Sequence, residues 1–159
     1  MTELRWAGPI VLAVIVTIGS YQDIRFRRLP NWLCLFALVA GLGIGGLAFG
    51  LIWLKMAALH SLIALLTGMV LFALRVVGGG DAKFYAAIAA WLPVEYGLLL
   101  AFAVGLAGLA ILIVWLPMRR RLAKAAGKER LPGVRWNVPY GVAISIGGVV
   151  VYGTAMRFW

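Results

Sequence analysis

The feature that most constrains this chain is a series of long apolar segments divided by short polar or glycine-rich ones. A helix needs about 20 apolar residues to cross the hydrocarbon core of a bilayer, and backbone groups within lipid must be paired internally, which favours helices. Hydrophobic residues occupy 64% of the 159 positions, against roughly 45–50% in a soluble domain. The sequence therefore predicts an all-α membrane protein, a polytopic bundle of about six transmembrane helices.

The breaks between the apolar segments set the predicted spans. Pro30 and Asn31 separate the first two, and Gly78, Gly79 and Gly80 end the third, because glycine readily adopts positive φ. We expect one transmembrane domain over residues 1–159, with spans at about 6–22, 31–53, 56–77, 82–93, 95–117 and 138–156. A cleaved signal peptide is the less favoured interpretation of the first segment, because its start is not notably basic and no cleavage site precedes a soluble domain.

The distribution of Lys and Arg predicts the orientation, since cytoplasmic loops carry the excess of these residues. If the chain begins outside the cytoplasm, the inner loops hold three, two and seven basic residues, which is 12 of the 15 in the chain. Arg5, Lys55 and Arg157 remain outside. We therefore expect a multi-pass protein of the cell inner membrane with both termini outside the cytoplasm, and with the basic segment 119–135 against anionic lipid headgroups.

Composition disfavours several other kinds of site. The net charge of +10 is explained by the basic loops, and the aromatic residues lie in or beside the spans rather than on a solvated basic face that could bind nucleic acid. Cys34 is the single cysteine, which excludes an intrachain disulfide and a cysteine-based metal site. We expect no metal and no cofactor, and we interpret Cys34 as a small packing residue.

Acidic side chains are the most informative residues, because there are only five and each is costly near hydrocarbon. The three glutamates lie in predicted ends or loops. Asp23 closes the first span and Asp81 opens the fourth, so both fall at cytoplasmic helix ends that a bundle can bring together. Each also has a structural interpretation, with Asp81 as the N-cap of the fourth helix and Asp23 in an ion pair with Arg25 or Arg27.

Two carboxyl groups held close together and shielded from water cannot both ionise easily, so one keeps a proton while the other is anionic. Such a pair suits peptide hydrolysis, because the anionic member takes a proton from water and the protonated member polarises the carbonyl group. The glycines before Asp81 would let a substrate backbone approach closely.

Three segments resemble the type IV prepilin leader peptidases, which are GxGD-type intramembrane aspartic proteases. GGGDAKF at residues 78–84 is similar to the GxGDxK signature of the family. DIRFRRLPNWL at 23–33 is similar to its first aspartate with a basic turn and Pro-Asn, and VPYGVAISIGG at 138–148 to its Pro-(Phe/Tyr)-Gly in the last span. The order of the segments and the six-span layout agree as well, so the resemblance covers nearly the whole chain.

The resemblance implies that Asp23 and Asp81 are the catalytic pair of an aspartic endopeptidase that removes the basic leader from pilin-like precursors at the cytoplasmic membrane face. Its partners would be the precursor and the lipid bilayer. The chain starts almost directly with a span and lacks the paired cysteines of larger bifunctional relatives, so it looks like the short form associated with tight-adherence (Flp) pili, without the methyltransferase. Substrate binding or shaping of the site would fall to Gly78, Gly79, Gly80, Lys83, Asn31, Pro139, Tyr140 and Gly141.

Some assignments stay open. Lys83 lies two residues after Asp81 and so on a different helix face, where its ammonium group can reach headgroups instead. Asn31 can cap the second helix, and His60 is expected to be a satisfied interfacial residue far from the aspartates. The alternative function is a small proton- or cation-coupled transporter or channel subunit using the same two aspartates, although such sites usually lie near the bilayer midplane. A noncatalytic assembly subunit would leave the two acids without a shared role.

Overall fold

The computed structural model describes the backbone of residues 2–125 and 139–157 and the side chains of residues 6–118 and 139–157. In these ranges the prediction of an all-α bundle of about six helices is confirmed. Four segments, in α1, α2, α3 and α5, are long and apolar enough to cross a membrane. The helices are α1 (Thr2–Phe26), α2 (Asn31–Phe49), α3 (Leu51–Ala73), α4 (Gly79–Ala89), α5 (Gly97–Ala125) and α6 (Tyr140–Ala155), with a short 3-10 helix at Val94–Tyr96.

The shortest helix, α4, lies in the interior of the bundle. It packs against α2, α3 and α6, while α1 packs against both α2 and α6, and α5 packs on α6. All residues from 86 to 93 are buried. With 11 residues, α4 is about 16 Å long, roughly half of the hydrocarbon thickness. The helix that is too short to cross the membrane is therefore enclosed by α2 and α3, which are long enough to cross it, and by the 16-residue α6.

Glycines on the surrounding helices allow this close packing. A Cβ atom added to any of four such glycines would come within 2.6–2.9 Å of a side chain of α4 or of the turn after it, closer than real Cβ atoms approach. Small residues at helix interfaces in membranes let the helix axes come close together. The four contacts are Gly19 with Phe84, Gly41 with Trp91, Gly68 with Ala82 and Gly148 with Ile88.

Several helix boundaries differ from the sequence-based expectation, and two of the differences lie at glycines. The turn between α2 and α3 lies at Gly50 rather than at residues 54–55, because Gly50 has a φ of 90°, in the region that favours glycine. Gly79 and Gly80 form the first turn of α4 and do not interrupt it. Gly78 precedes them with extended backbone, at φ −75° and ψ 145°. The third span thus ends earlier than expected, at Ala73, and none of these three glycines has a positive φ.

Side chains of α3 bind carbonyl groups at and just beyond the C-terminal end of α4, where a helix has few backbone donors left to offer. Ser61 Oγ donates to the carbonyl group of Ala86 at 2.8 Å. His60 Nδ1 donates to the carbonyl group of Leu92 at 2.9 Å. Because a carbonyl oxygen only accepts, Nδ1 carries the hydrogen. His60 is satisfied, as expected, but it is buried in the bundle rather than interfacial.

Candidate active site

Asp23 lies in the last turns of α1, and only 7% of its surface is exposed. Its Oδ2 atom accepts a hydrogen bond from the backbone N–H of Gly141 at 2.8 Å, and the N–H of Val142 also donates to this carboxyl group. Both N–H groups belong to the first turn of α6, where most backbone donors have no partner within the helix. The N–H of Val142 also donates to the carbonyl group of Pro139 at 3.2 Å, and α6 has no side-chain cap at Pro139. Asp23 therefore caps α6 from another helix.

Asp81 lies in the first turn of α4 and is half-buried. Its carboxyl group accepts a hydrogen bond from the backbone N–H of Gly78. Gly78 occupies the N-cap position, and Asp81 is three residues further on, as in the return bond of a capping box. The interpretation of Asp81 as the N-cap residue itself is therefore wrong.

The carboxyl groups of Asp23 and Asp81 lie within electrostatic range of each other. Burial, followed by the negative charge of Asp23, raises the pKa of Asp81 from 3.8 to about 6, against the opposing hydrogen bond from Gly78. Asp81 therefore holds a proton below about pH 6. The cation that acts on Asp23 is Arg27, whose guanidinium lies 5.6 Å from the ring centroid of Trp115. The structure thus brings the two acids together at one end of the bundle.

Each aspartate packs directly against a glycine. A Cβ atom on Gly141 would lie 2.9 Å from Asp23 Oδ2, and one on Gly78 would lie 2.7 Å from Asp81 Oδ2. Any other side chain at these positions would displace the carboxyl group or shift the helix start. The glycine in the Pro-Tyr-Gly segment and the first glycine of the Gly-Gly-Gly-Asp segment therefore have the same effect. Each lets a carboxyl group approach a backbone N–H group.

Lys83 and Asn31 meet each other rather than the aspartates. Lys83 Nζ donates to Asn31 Oδ1 at 3.1 Å, which joins the start of α4 to the start of α2, and both side chains are exposed. Cys34, one turn beyond Asn31, is buried and lies within electrostatic range of Lys83 and Asp81. Its position beside the site was not predicted, and the spacing of three residues from Asn31 was the signal that pointed to it.

The other residues expected to shape the site contribute unequally. Pro139 is buried directly before α6, whereas Tyr140 is 46% exposed and has no described contact with either aspartate. Gly79 and Gly80 are half-buried. A Cβ atom on Gly80 would make an ordinary contact with Leu29 at 3.5 Å, so this position is less constrained than Gly78.

Ser145 is a residue that sequence reasoning missed. The single hydroxyl hydrogen on its Oγ atom is shared between the carbonyl group of Gly141, at 2.7 Å, and that of Val16, in α1, at 3.3 Å. It thereby ties the first turn of α6 to the helix that carries Asp23. The available signal was a polar residue four positions after Gly141 within an apolar span.

Among the described side chains, no group of three His, Cys, Asp or Glu residues is placed to hold a metal ion.

The fold and the site define a multi-pass helical membrane protein with two acidic side chains paired at the ends of helices. Comparison with family models identifies the particular group. The model of the type IV leader peptidase family matches residues 10–113, a segment that contains both Asp23 and Asp81, and the chain belongs to this family. The protein is therefore a membrane peptidase, and the resemblance found in the sequence is confirmed. Neither the curated proteins nor the solved structures contain a match to the chain.

Proposed function

We propose that this peptidase is of the aspartic type, with Asp23 and Asp81 as its catalytic pair, and that it removes the basic leader from pilin-like precursors at the cytoplasmic face of the inner membrane. The observation that carries the proposal is the pairing itself. One carboxyl group is buried against the start of α6, and the other is within range of its charge and has a pKa of about 6. One proton shared between two such groups is the state that peptide hydrolysis requires.

The chemistry follows from this state. The anionic carboxylate removes a proton from water while the water oxygen attacks the scissile carbonyl carbon, and the protonated carboxyl group donates to the carbonyl oxygen. The first carboxyl group then transfers its new proton to the departing amine as the carbon–nitrogen bond breaks. The proton held by the tetrahedral intermediate returns to the second. Both carboxyl groups end in their starting states, with water consumed and two peptides released.

The position of the pair suits a precursor with a basic leader followed by an apolar helix. The leader is strongly hydrated and the helix lies in lipid, so the junction between them falls at the membrane interface. Asp23 and Asp81 lie at a C-terminal and an N-terminal helix end, at one end of α4. In the proposed site, the Lys83–Asn31 hydrogen bond holds α2 and α4 beside the entry for the substrate. Family membership does not favour the transporter alternative.

The test is co-expression of the protein with candidate small pilin-like precursors, followed by a search for the shortened product. We expect the wild-type protein to cleave a precursor, and Asp23→Asn and Asp81→Asn each to lower the rate about 10³-fold or more, because an amide matches the carboxyl group in size but cannot transfer protons in this way.

Glu95→Gln is the matched control, since Glu95 is an exposed acid after the opposite end of α4. It should process precursor at the wild-type rate. Near-normal cleavage by either aspartate variant, with the protein inserted and accumulated, would show that the catalytic pair is assigned incorrectly.

A further inference from the structure

The two aspartates, although paired, lie in unequal surroundings. Asp23 is buried and accepts hydrogen bonds from two N–H groups in the first turn of a 16-residue helix. Asp81 is half-buried and accepts one N–H bond, from Gly78 at the start of its own helix. The charged groups differ as well, because the cation Arg27 acts on Asp23.

We propose that Gly141 is a positioning residue whose N–H, at the start of α6, holds the carboxylate of Asp23 as the anion, so that Asp23 is the base that activates water and Asp81 is the proton donor. This assignment rests on the proposed peptidase function of the pair. It goes further by giving each aspartate one role. It also identifies the start of α6 as the part of the fold that determines which aspartate is the base.

The geometry supports this division of roles. A backbone N–H can only donate, so Gly141 offers no acceptor for a proton on the Oδ2 atom that faces it. Hydrogen bonds from N–H groups favour the charged form of a carboxyl group, and the N-terminus of a helix adds a partial positive charge. Asp81 has the weaker set of donors, and once Asp23 is the anion its charge favours the neutral form of Asp81.

A hydrogen bond from Ser145 also fixes the position of Gly141 relative to the helix that carries Asp23. The hydroxyl hydrogen of Ser145 is shared between the carbonyl groups of Gly141 and Val16, so the first turn of α6 and the helix that carries Asp23 are held together. The absence of a side chain at Gly141 is required, because a Cβ atom would lie 2.9–3.1 Å from three atoms of Asp23. Substitution at this position should push the carboxyl group away from its N–H donors while leaving the Asp23 side chain chemically intact.

Infrared difference spectroscopy on the protein in lipid bilayers tests the assignment without requiring turnover. Spectra recorded below and above about pH 6, the pKa of Asp81, should contain the band of a protonated carboxyl group. We expect Asp81→Asn to remove this band and Asp23→Asn to retain it with a midpoint at lower pH, because the neighbouring negative charge is gone. Retention of the band in Asp81→Asn together with its loss in Asp23→Asn would overturn the assignment.

Kinetics test the role of Gly141. In Gly141→Ala we expect kcat for precursor cleavage to fall roughly 10- to 100-fold, the range that corresponds to one hydrogen bond to a charged group. KM should be unchanged, and the acidic limb of the pH–rate profile should move to higher pH. Gly153→Ala is the control, because it lies in the same helix with open space around its Cβ position, and it should match wild type in all three measurements.

Ser145→Ala perturbs the same turn more gently, and it keeps the test decisive if Gly141→Ala does not accumulate. It should move the acidic limb in the same direction by a smaller amount. If the wild-type protein cleaves precursor and the folded variants have the same acidic limb as the wild type, the inference about Gly141 is overturned. The peptidase assignment is then unaffected. If the wild-type protein cleaves no precursor, the proposed function itself fails.

Discussion

Polar side chains bind both ends of α4. The two ends differ in how much hydrogen-bonding capacity those side chains have left for other partners. At the C-terminal end, the buried side chains of His60 and Ser61 each donate a hydrogen bond to a carbonyl group. At the N-terminal end, Asp23 and Asp81 accept from N–H groups. A carboxylate offers about four acceptor positions, so one or two N–H bonds leave capacity for water, a proton and a substrate. Polar groups therefore stabilise the fold at one end of α4 and supply reactive atoms at the other.

The largest expected difference between the two ends is in the dependence of cleavage on pH. The pKa of Asp81 is raised to about 6, so its proton is present below that pH and is lost above it. We expect the rate of leader cleavage to fall about tenfold per pH unit above the limb, roughly 100-fold over two units. The measurement is kcat/KM for the reconstituted protein on a pilin-like precursor.

Protein stability must be followed in the same samples, because the folded state binds more protons than the unfolded chain between pH 3.8 and about 6. Stability therefore falls as the pH rises through this range. Rates expressed per folded molecule separate the two effects. A cleavage rate that stays level from one unit below the limb to two units above it would contradict the role of Asp81 as the proton donor.

A substitution at the C-terminal end should affect stability instead of chemistry. His60→Ala leaves the carbonyl group of Leu92 without its donor, which should cost about 1–3 kcal/mol of folding free energy, while the cleavage rate per folded molecule stays close to wild type. Thermal unfolding in detergent, together with the rate, provides the measurement. Lys55→Ala, exposed on the same helix, is the control and should change neither. A loss of cleavage rate in His60→Ala without a loss of stability would contradict the claim that this end of α4 serves only the stability of the fold.

The smallest expected effect on cleavage belongs to Gly80→Cys, since its Cβ atom would make only an ordinary contact with Leu29. Hydrolysis needs water beside Asp81, so we propose a water-filled notch at the start of α4. This notch predicts that the cysteine at position 80, in a Cys34→Ala background, reacts with a small water-soluble thiol reagent added from the cytoplasmic side. Ala89→Cys, which is buried, should stay unreactive. Complete protection of residue 80 in the folded, inserted protein would rule the notch out.

The helical class and the approximate number of helices were predictable because the bilayer restricts a chain of this composition to few solutions. The meeting of the two aspartates at one end was also predictable, since hydropathy places each at a helix end on the same side. These predictions depend on properties of single segments, and such properties are visible in a single sequence.

The partners of the site residues were not predictable in the same way. Asp23 and Gly141 are 118 positions apart, and Lys83 and Asn31 are 52 apart. Which N–H group or amide a side chain meets depends on how helices pack, and the packing is set by glycines whose neighbours are distant in sequence. The two glycines at the start of α4 are a related case, since enclosure by other helices outweighs their low helix propensity.

The most direct test of the paired site is the comparison of Asp23→Asn, Asp81→Asn and the double variant in one quantitative cleavage assay with purified, reconstituted protein. Residues that act as one catalytic unit are not additive, so removal of either should abolish most of what the pair contributes. We expect the three variants to share the same residual rate. Single variants that each retain partial activity, with a double variant that loses the product of both effects, would show that the two carboxyl groups act independently and would contradict the paired mechanism.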